Sequence, residues 1–252
     1  MDPETVLRLI QSAPERYGTV RAVLRYRGDG TVIKKVREQF LNSEAARRTF
    51  GEPPKEPLRQ DEPDGRFGWR CRIWRAGAYR WRQELELPDG GVDIQASTGH
   101  MRFPSSPERQ PGTSEQWHKR LGDLAYEQYP SWLRLATDTY WTMYPFDPQG
   151  IAGLGYELEE LDLRVKGYAS HAGREAVRLV GVPVKEWERP PEPLWWGADE
   201  YEVVVDVERG IVLRCASRLE GEDFDALEVE EVVFDQCFEA EVFESSRPLA
   251  WR

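Results

Sequence analysis

The side chains of this chain that could carry out chemistry are three histidines, three cysteines, a scatter of serines and 45 carboxylates, and their spacing decides what is open to them. His100, His118 and His171 share no metal-ligand spacing, and Cys71, Cys215 and Cys237 form neither a zinc pattern nor a redox pair. Ser97, Ser105 and Ser131 lack the glycine-flanked turn that exposes a nucleophile, and the glycines from Gly150 to Gly155 lack the lysine of a phosphate loop. Glu157-Leu-Glu-Glu160 and Glu228-Val-Glu-Glu231 alternate with apolar residues, the pattern of a solvated sheet face. The expectation is a protein that is not an enzyme, with no metal and no cofactor.

Aromatic residues offer a different chemistry. Trp132, Tyr140, Trp141 and Tyr144, with Trp195 and Trp196, give a large apolar surface with polar handles at the ring edges. Such a set suits a lipid-like or flat ligand in a cavity, and equally a filled core under a wide sheet. Nine residues separate Trp132 from Trp141, about 180° on an ideal helix, so both face one pocket only if the helix breaks. Thr137-Asp138-Thr139 is a poor helix interior, and a kink is expected near Asp138. The run from Arg66 to Arg82 holds six arginines and five aromatics with no acid. Alternation places most of its rings and guanidiniums on opposite faces, which favours arginines paired with glutamates of neighbouring strands over a groove for an anion.

The elements that must position these residues are mostly strands. Residues 201–234 fall into β-branched and aromatic runs bounded by Gly210 and Gly221, the punctuation of an antiparallel meander. In the last run Leu227, Val229 and Glu231 should point one way, and Glu228, Glu230 and Val232 the other. Residues 20–26 and 31–40 read as two strands joined at Gly28-Asp29-Gly30, and residues 69–103 as a second meander whose last two strands turn near Gly99. Residues 159–183 add a further pair. Asp2-Pro3-Glu4 starts a helix near residues 3–13, and a helical block is expected at residues 114–144, with Thr113 to Gln116 at its start. Residues 51–66, rich in Pro, Gly and charge, read as an exposed loop.

A chain of 252 residues with 40% hydrophobic content can bury one large core. The net charge of -11 argues against a nucleic-acid partner, because phosphate attraction is the main source of non-specific affinity. Residues 1–100 carry 18 Lys+Arg against 15 Asp+Glu, and residues 101–252 carry 16 against 30, which suits charge pairing across neighbouring strands. No signal-like or membrane-spanning stretch is present in the chain, and a cytoplasmic protein with reduced thiols is expected.

Four local patterns resemble the lipoprotein-carrier superfamily typified by LolA, LolB and the periplasmic regulator RseB, including actinobacterial members. Ala78-Tyr79-Arg80-Trp81-Arg82-Gln83-Glu84 is similar to its P-x-x-Y/W-R-x-E strand, and Asp89 to Pro104 to the pair of strands that follows. Gly173-Arg174-Glu175-Ala176 resembles its G-R-x-A strand, and residues 205–214 its V-D-x-x-x-G-x-L-x-R hairpin, with a terminal strand ending in Phe243. The resemblance implies one α+β domain over residues 1–252, a large curved antiparallel sheet forming an open half-barrel with helices covering the concave face. It also implies a non-catalytic binding protein for an apolar or amphipathic ligand between sheet and helices, or an RseB-like module that docks a protein partner.

Overall fold

Asp2 begins the first helix as its chemistry requires. Its carboxylate accepts from the Thr5 N–H at 3.0 Å and from the Thr5 hydroxyl at 2.7 Å, contacts that hold it below the usual carboxylate range. Helix α1 (Pro3–Gln11) then buries Val6, Leu7, Leu9 and Ile10 along one side. The computed structural model describes residues 1–42, 44, 47, 64–77, 80–102, 113–121, 146, 158, 161–183, 197–244 and 248–249.

After α1 come β1 (Thr19–Asp29), α2 (Gly30–Leu41), β2 (Arg66–Ala76), β3 (Arg80–Glu86), β4 (Val92–Arg102) and β5 (Thr113–Leu121). The second half holds β6 (Leu161–His171), β7 (Arg174–Pro183), β8 (Glu200–Asp206), β9 (Val212–Leu219), β10 (Glu222–Phe234) and the short α3 (Glu241–Glu244). All ten strands form one antiparallel sheet in the order β5-β4-β3-β2-β1-β10-β9-β8-β7-β6, open at both ends among the described residues. The fold is α+β, a large open antiparallel sheet with helices against it.

One face of this sheet is the core. Leu24, Cys71, Ile73, Leu85, Leu179, Val203, Leu213 and Val229 are buried in a single cluster with Ile10 of α1 and with Ile33 and Val36 of α2. The turn after β8 packs directly on α1. Gly210 has φ +73°, and a Cβ there would lie 2.2 Å from the Leu9 carbonyl oxygen, so only glycine permits this contact.

Five expectations are corrected. Residues 31–40 form α2, not a strand, because Asp29 Oδ1 accepts from the N–H groups of Thr31 and Val32 at 3.1 and 3.2 Å and caps a helix. Its good helix formers Lys34, Lys35, Arg37 and Glu38 outweigh the β-branched Thr31-Val32-Ile33. Residues 113–121 form β5, not the start of a helix, and pair with β4 from Val92↔Leu121 to Arg102↔Thr113. Ladder hydrogen bonds to the preceding strand overrode the local helical spacing there, and the remaining expected helical residues, 122–144, lie outside the described residues.

Gly99 marks a register shift inside a continuous β4 and not a turn between two strands. Finally, β10 ends at Phe234, and Phe243 sits in α3. Within β10 a bulge opposite Val23 and Leu24 adds one residue, so Val232 turns to the core and Glu231 away from it, the reverse of a strict alternation.

Candidate functional site

Trp132, Tyr140, Trp141, Tyr144, Trp195 and Trp196, and the kink expected near Asp138, lie outside the described residues. The core face of the sheet lies within the described residues. From β7 to β2 this core face is apolar, with Val177, Leu179, Tyr201, Val203, Cys215 and Leu227 all buried. Phe146 and Leu158, the two described residues between β5 and β6, are fully buried in the same cluster, and the Tyr17 hydroxyl donates to the Phe146 carbonyl at 3.2 Å.

Toward the β4 side the same face turns polar. Cross-strand pairs Leu85↔Asp93, Gln83↔Gln95 and Trp81↔Ser97 share this side, and Gln83, Asp93 and Ser97 are buried. Each of these polar side chains has a partner. The core face is thus a wide apolar floor ending in a polar row.

The opposite face is a lattice of ion pairs. Glu202 holds Arg178, Arg214 and Arg218, and Asp223 holds Arg214 and Arg218. Asp206 and Glu208 hold Arg174. Arg25 and Arg70 stand directly opposite each other on β1 and β2, and the bulge residue Glu230 separates them, accepting at 3.3 Å from Arg25 and 2.7 Å from Arg70. That bond raises the Arg70 pKa, in spite of its partial burial. Glu230→Gln should therefore lower the unfolding free energy by about 1 kcal/mol, since it leaves like charges opposed. Urea unfolding should show the loss shrinking in 0.5 M salt, and a salt-independent loss would assign it to packing.

The arginine run of residues 66–82 joins this lattice: Arg70 pairs with Glu86 and Glu230, and Arg72 and Arg82 pair with Glu84. An open groove of about 1410 Å³ crosses this face, bounded by Arg25, Arg27, Arg214, Glu228 and Glu230. Between these charges its walls also carry Tyr26, Phe67, Trp69, Leu87 and Phe224.

One feature escaped the sequence reading. Arg82 and Glu84, which alternation places on the face away from the core, are fully buried. Arg82 Nε and Nη2 donate to Glu84 Oε1 at 2.8 and 2.6 Å. Burial pulls the Arg82 guanidinium below its ordinary value against the attraction of Glu84. The chain beyond β10 covers them: α3 packs on β3 and β4. The signal was the apolar set Phe238, Val242, Phe243 and Leu249 beyond the last strand.

Histidine and cysteine chemistry stays dispersed. His171 Nε2 lies 3.1 Å from the Val229 carbonyl oxygen, and His118 sits on β5 and not on a helix. Cys71 and Cys215 are buried in the core, Cys237 is exposed, and no cluster of three metal-binding side chains occurs among the described residues. No helix among them is long and apolar enough to cross a membrane.

The chain matches no known protein-family model and no curated protein. It is similar to solved structures. The Pseudomonas aeruginosa MucA/MucB complex matches at 13% identity and TM-score 0.41, over 97% of this chain and 61% of that one. A putative outer membrane lipoprotein-sorting protein domain from Vibrio parahaemolyticus matches at 10% identity and TM-score 0.28, over 96% and 97% of the two chains. A LolA superfamily protein from Nitrosomonas europaea matches at 7% identity and TM-score 0.27, again over 96% and 97%. The chain thus spans about three-fifths of the matched MucA/MucB chain. The likeness is one of fold alone.

Proposed function

We propose that this is a non-catalytic binding protein for an apolar or amphipathic, lipid-like ligand. The ligand lies between the core face of the sheet and the segment bearing Trp132, Tyr140, Trp141 and Tyr144, with Trp195 or Trp196 at the mouth. The observation that supports this reading is the composition of the core face, an apolar floor from β7 to β2 that ends in the polar row Gln83, Asp93, Gln95 and Ser97. Apolar lining with a few placed polar groups is what a pocket for an acyl chain and its head group needs.

Native mass spectrometry of protein purified from its host should detect a reproducible bound lipid. Trp141→Ala should weaken an environment-sensitive lipid probe about tenfold, the loss of roughly 1.4 kcal/mol of ring contact. Unchanged probe affinity in a folded variant would remove the ring set from the site.

A second reading, a module that docks a protein partner, has its own support. Strand β6 lies at the sheet edge among the described residues and exposes Asp162, Arg164, Lys166, Tyr168 and Ser170 on alternate positions. An edge of this kind can take an extended segment as a further strand. The loop at 190–197, a second docking candidate, lies outside the described residues up to Gly197. A lipid-free monomer that captures one specific protein would favour this reading over the first.

A further inference from the structure

Strand β6 changes character halfway along. Its ladder to β7 is regular from Leu161↔Pro183 to Val165↔Leu179, after which Lys166 is inserted and Gly167, at φ +136°, resumes the pairing opposite Arg178. A bulge of this kind twists an edge away from an incoming strand and so guards residues 166–171. Residues 161–165 carry no such device. Among the described residues their ladder runs to β7 alone, and their other side presents backbone donors and acceptors outward.

This regular stretch is complementary to itself. Leu161, Leu163 and Val165 lie on the core side, Leu161 buried and the other two half-buried against the cluster. Asp162 and Arg164 stand on the opposite face, 52% and 69% exposed, and Arg164 Nη2 donates to Asp162 Oδ2 at 2.6 Å. Leu163 is the middle of the stretch. A second copy laid antiparallel about Leu163 therefore sets Asp162 against the partner's Arg164 and Arg164 against the partner's Asp162. On the core side Leu163 meets the partner's Leu163, and Leu161 the partner's Val165.

Neighbouring registers fail on charge. Centring the pair on Arg164 opposes two guanidiniums, and centring it on Asp162 opposes two carboxylates. A slip that breaks the alternation turns apolar side chains against charged ones. The register that charge selects is also the one that centres the stretch before the bulge, and the two observations are independent.

We propose that β6 pairs with β6 of a second copy of this chain over residues 161–165, joining two sheets across a two-fold axis. The proposal rests on the reading of β6 as a docking edge and commits its partner to the same chain. Four charges then form a square of alternating sign, and Leu163 and Val165 gain apolar cover that the edge denies them. Such a contact uses the same surface on both copies and closes at the dimer. So short a pairing buries less than a permanent interface does, and the association depends on concentration.

Sedimentation velocity of the full chain from about 1 to about 300 µM should show monomer in equilibrium with dimer and no larger species. Asp162→Arg opposes arginines on both sides of the axis, Arg164→Asp opposes carboxylates, and each should weaken the dimer about tenfold. The double variant Asp162→Arg/Arg164→Asp restores opposite charges in the same register and should dimerise as wild type does. Deuterium uptake at residues 161–165 should fall as concentration rises, with residues 166–171 unchanged. A monomer throughout, a dimer indifferent to the single variants, or a double variant as weak as they are overturns the proposal. A wild type that stays monomeric, yet gains protection at 161–165 on capturing a different protein, sinks the dimer and leaves the docking reading standing.

Discussion

Glu84→Gln lowers the unfolding free energy by about 3–5 kcal/mol, the cost of leaving buried guanidiniums without their counter-charge. Arg82 is fully buried and Arg72 mostly so, and both pair with this carboxylate. Arg82 is fully buried, so water does not replace the charge-assisted bonds that it loses with this carboxylate. The triple change Arg72→Met, Arg82→Met, Glu84→Leu should recover most of that loss, because an apolar group of similar shape carries no desolvation cost. Chemical denaturation of the three proteins measures this directly. A loss below about 1 kcal/mol for Glu84→Gln would mean that the cluster is wetter than its burial implies.

The second large effect is alkaline. Burial pushes the Cys215 thiol up to about 12 and the Cys71 thiol further, from an ordinary 9.0, and raises the Tyr201 phenol from 10.0. Below pH 9 both folded and unfolded chains keep these protons, and the groups contribute nothing to pH dependence. Above it the unfolded chain releases thiol protons that the folded chain retains, so stability falls as pH rises until the folded thiols titrate. Each thiol removes about 1.4 kcal/mol per pH unit in that window, and from pH 8 to pH 10 the pair removes about 3 kcal/mol. Cys71→Ala/Cys215→Ala should flatten the slope whatever it does to stability at pH 7. Thiol reagents should modify exposed Cys237 quickly and the two core thiols only on unfolding. Fast modification of all three would contradict the burial.

Period-2 patterning made most of the strands legible. Trp69, Cys71 and Ile73, then Trp81 and Leu85, face the core as their alternation requires, and the intervening arginines meet glutamates on the other face. What escaped was decided outside the run itself. Residues 113–121 carry a helical pattern but pair with β4, and residues 31–40 carry a β-branched start but are capped by Asp29. Arg82 and Glu84 fall on the outward face by alternation, and nothing in their own strand announces the segment that buries them. The candidate site was legible only as a list of rings. The core face of the sheet, apolar with a polar end, follows from cross-strand register, which no single run of residues contains.

From one edge to the other the sheet reads β6, β7, β8, β9, β10, β1, β2, β3, β4, β5: a plain meander whose only non-consecutive neighbours are its first and last strands. Synthesis delivers β1 early, yet Val20 must wait for Phe234 to complete its ladder. Each half can zip locally as soon as its hairpins emerge, while the central seam has the largest loop-closure entropy in the molecule. Until the seam forms, β1 is a long strand with one bare side, the kind of edge that recruits chaperones or neighbouring chains. The chain's two ends are therefore bound to one act of folding: whatever delays the last strand leaves the first one open.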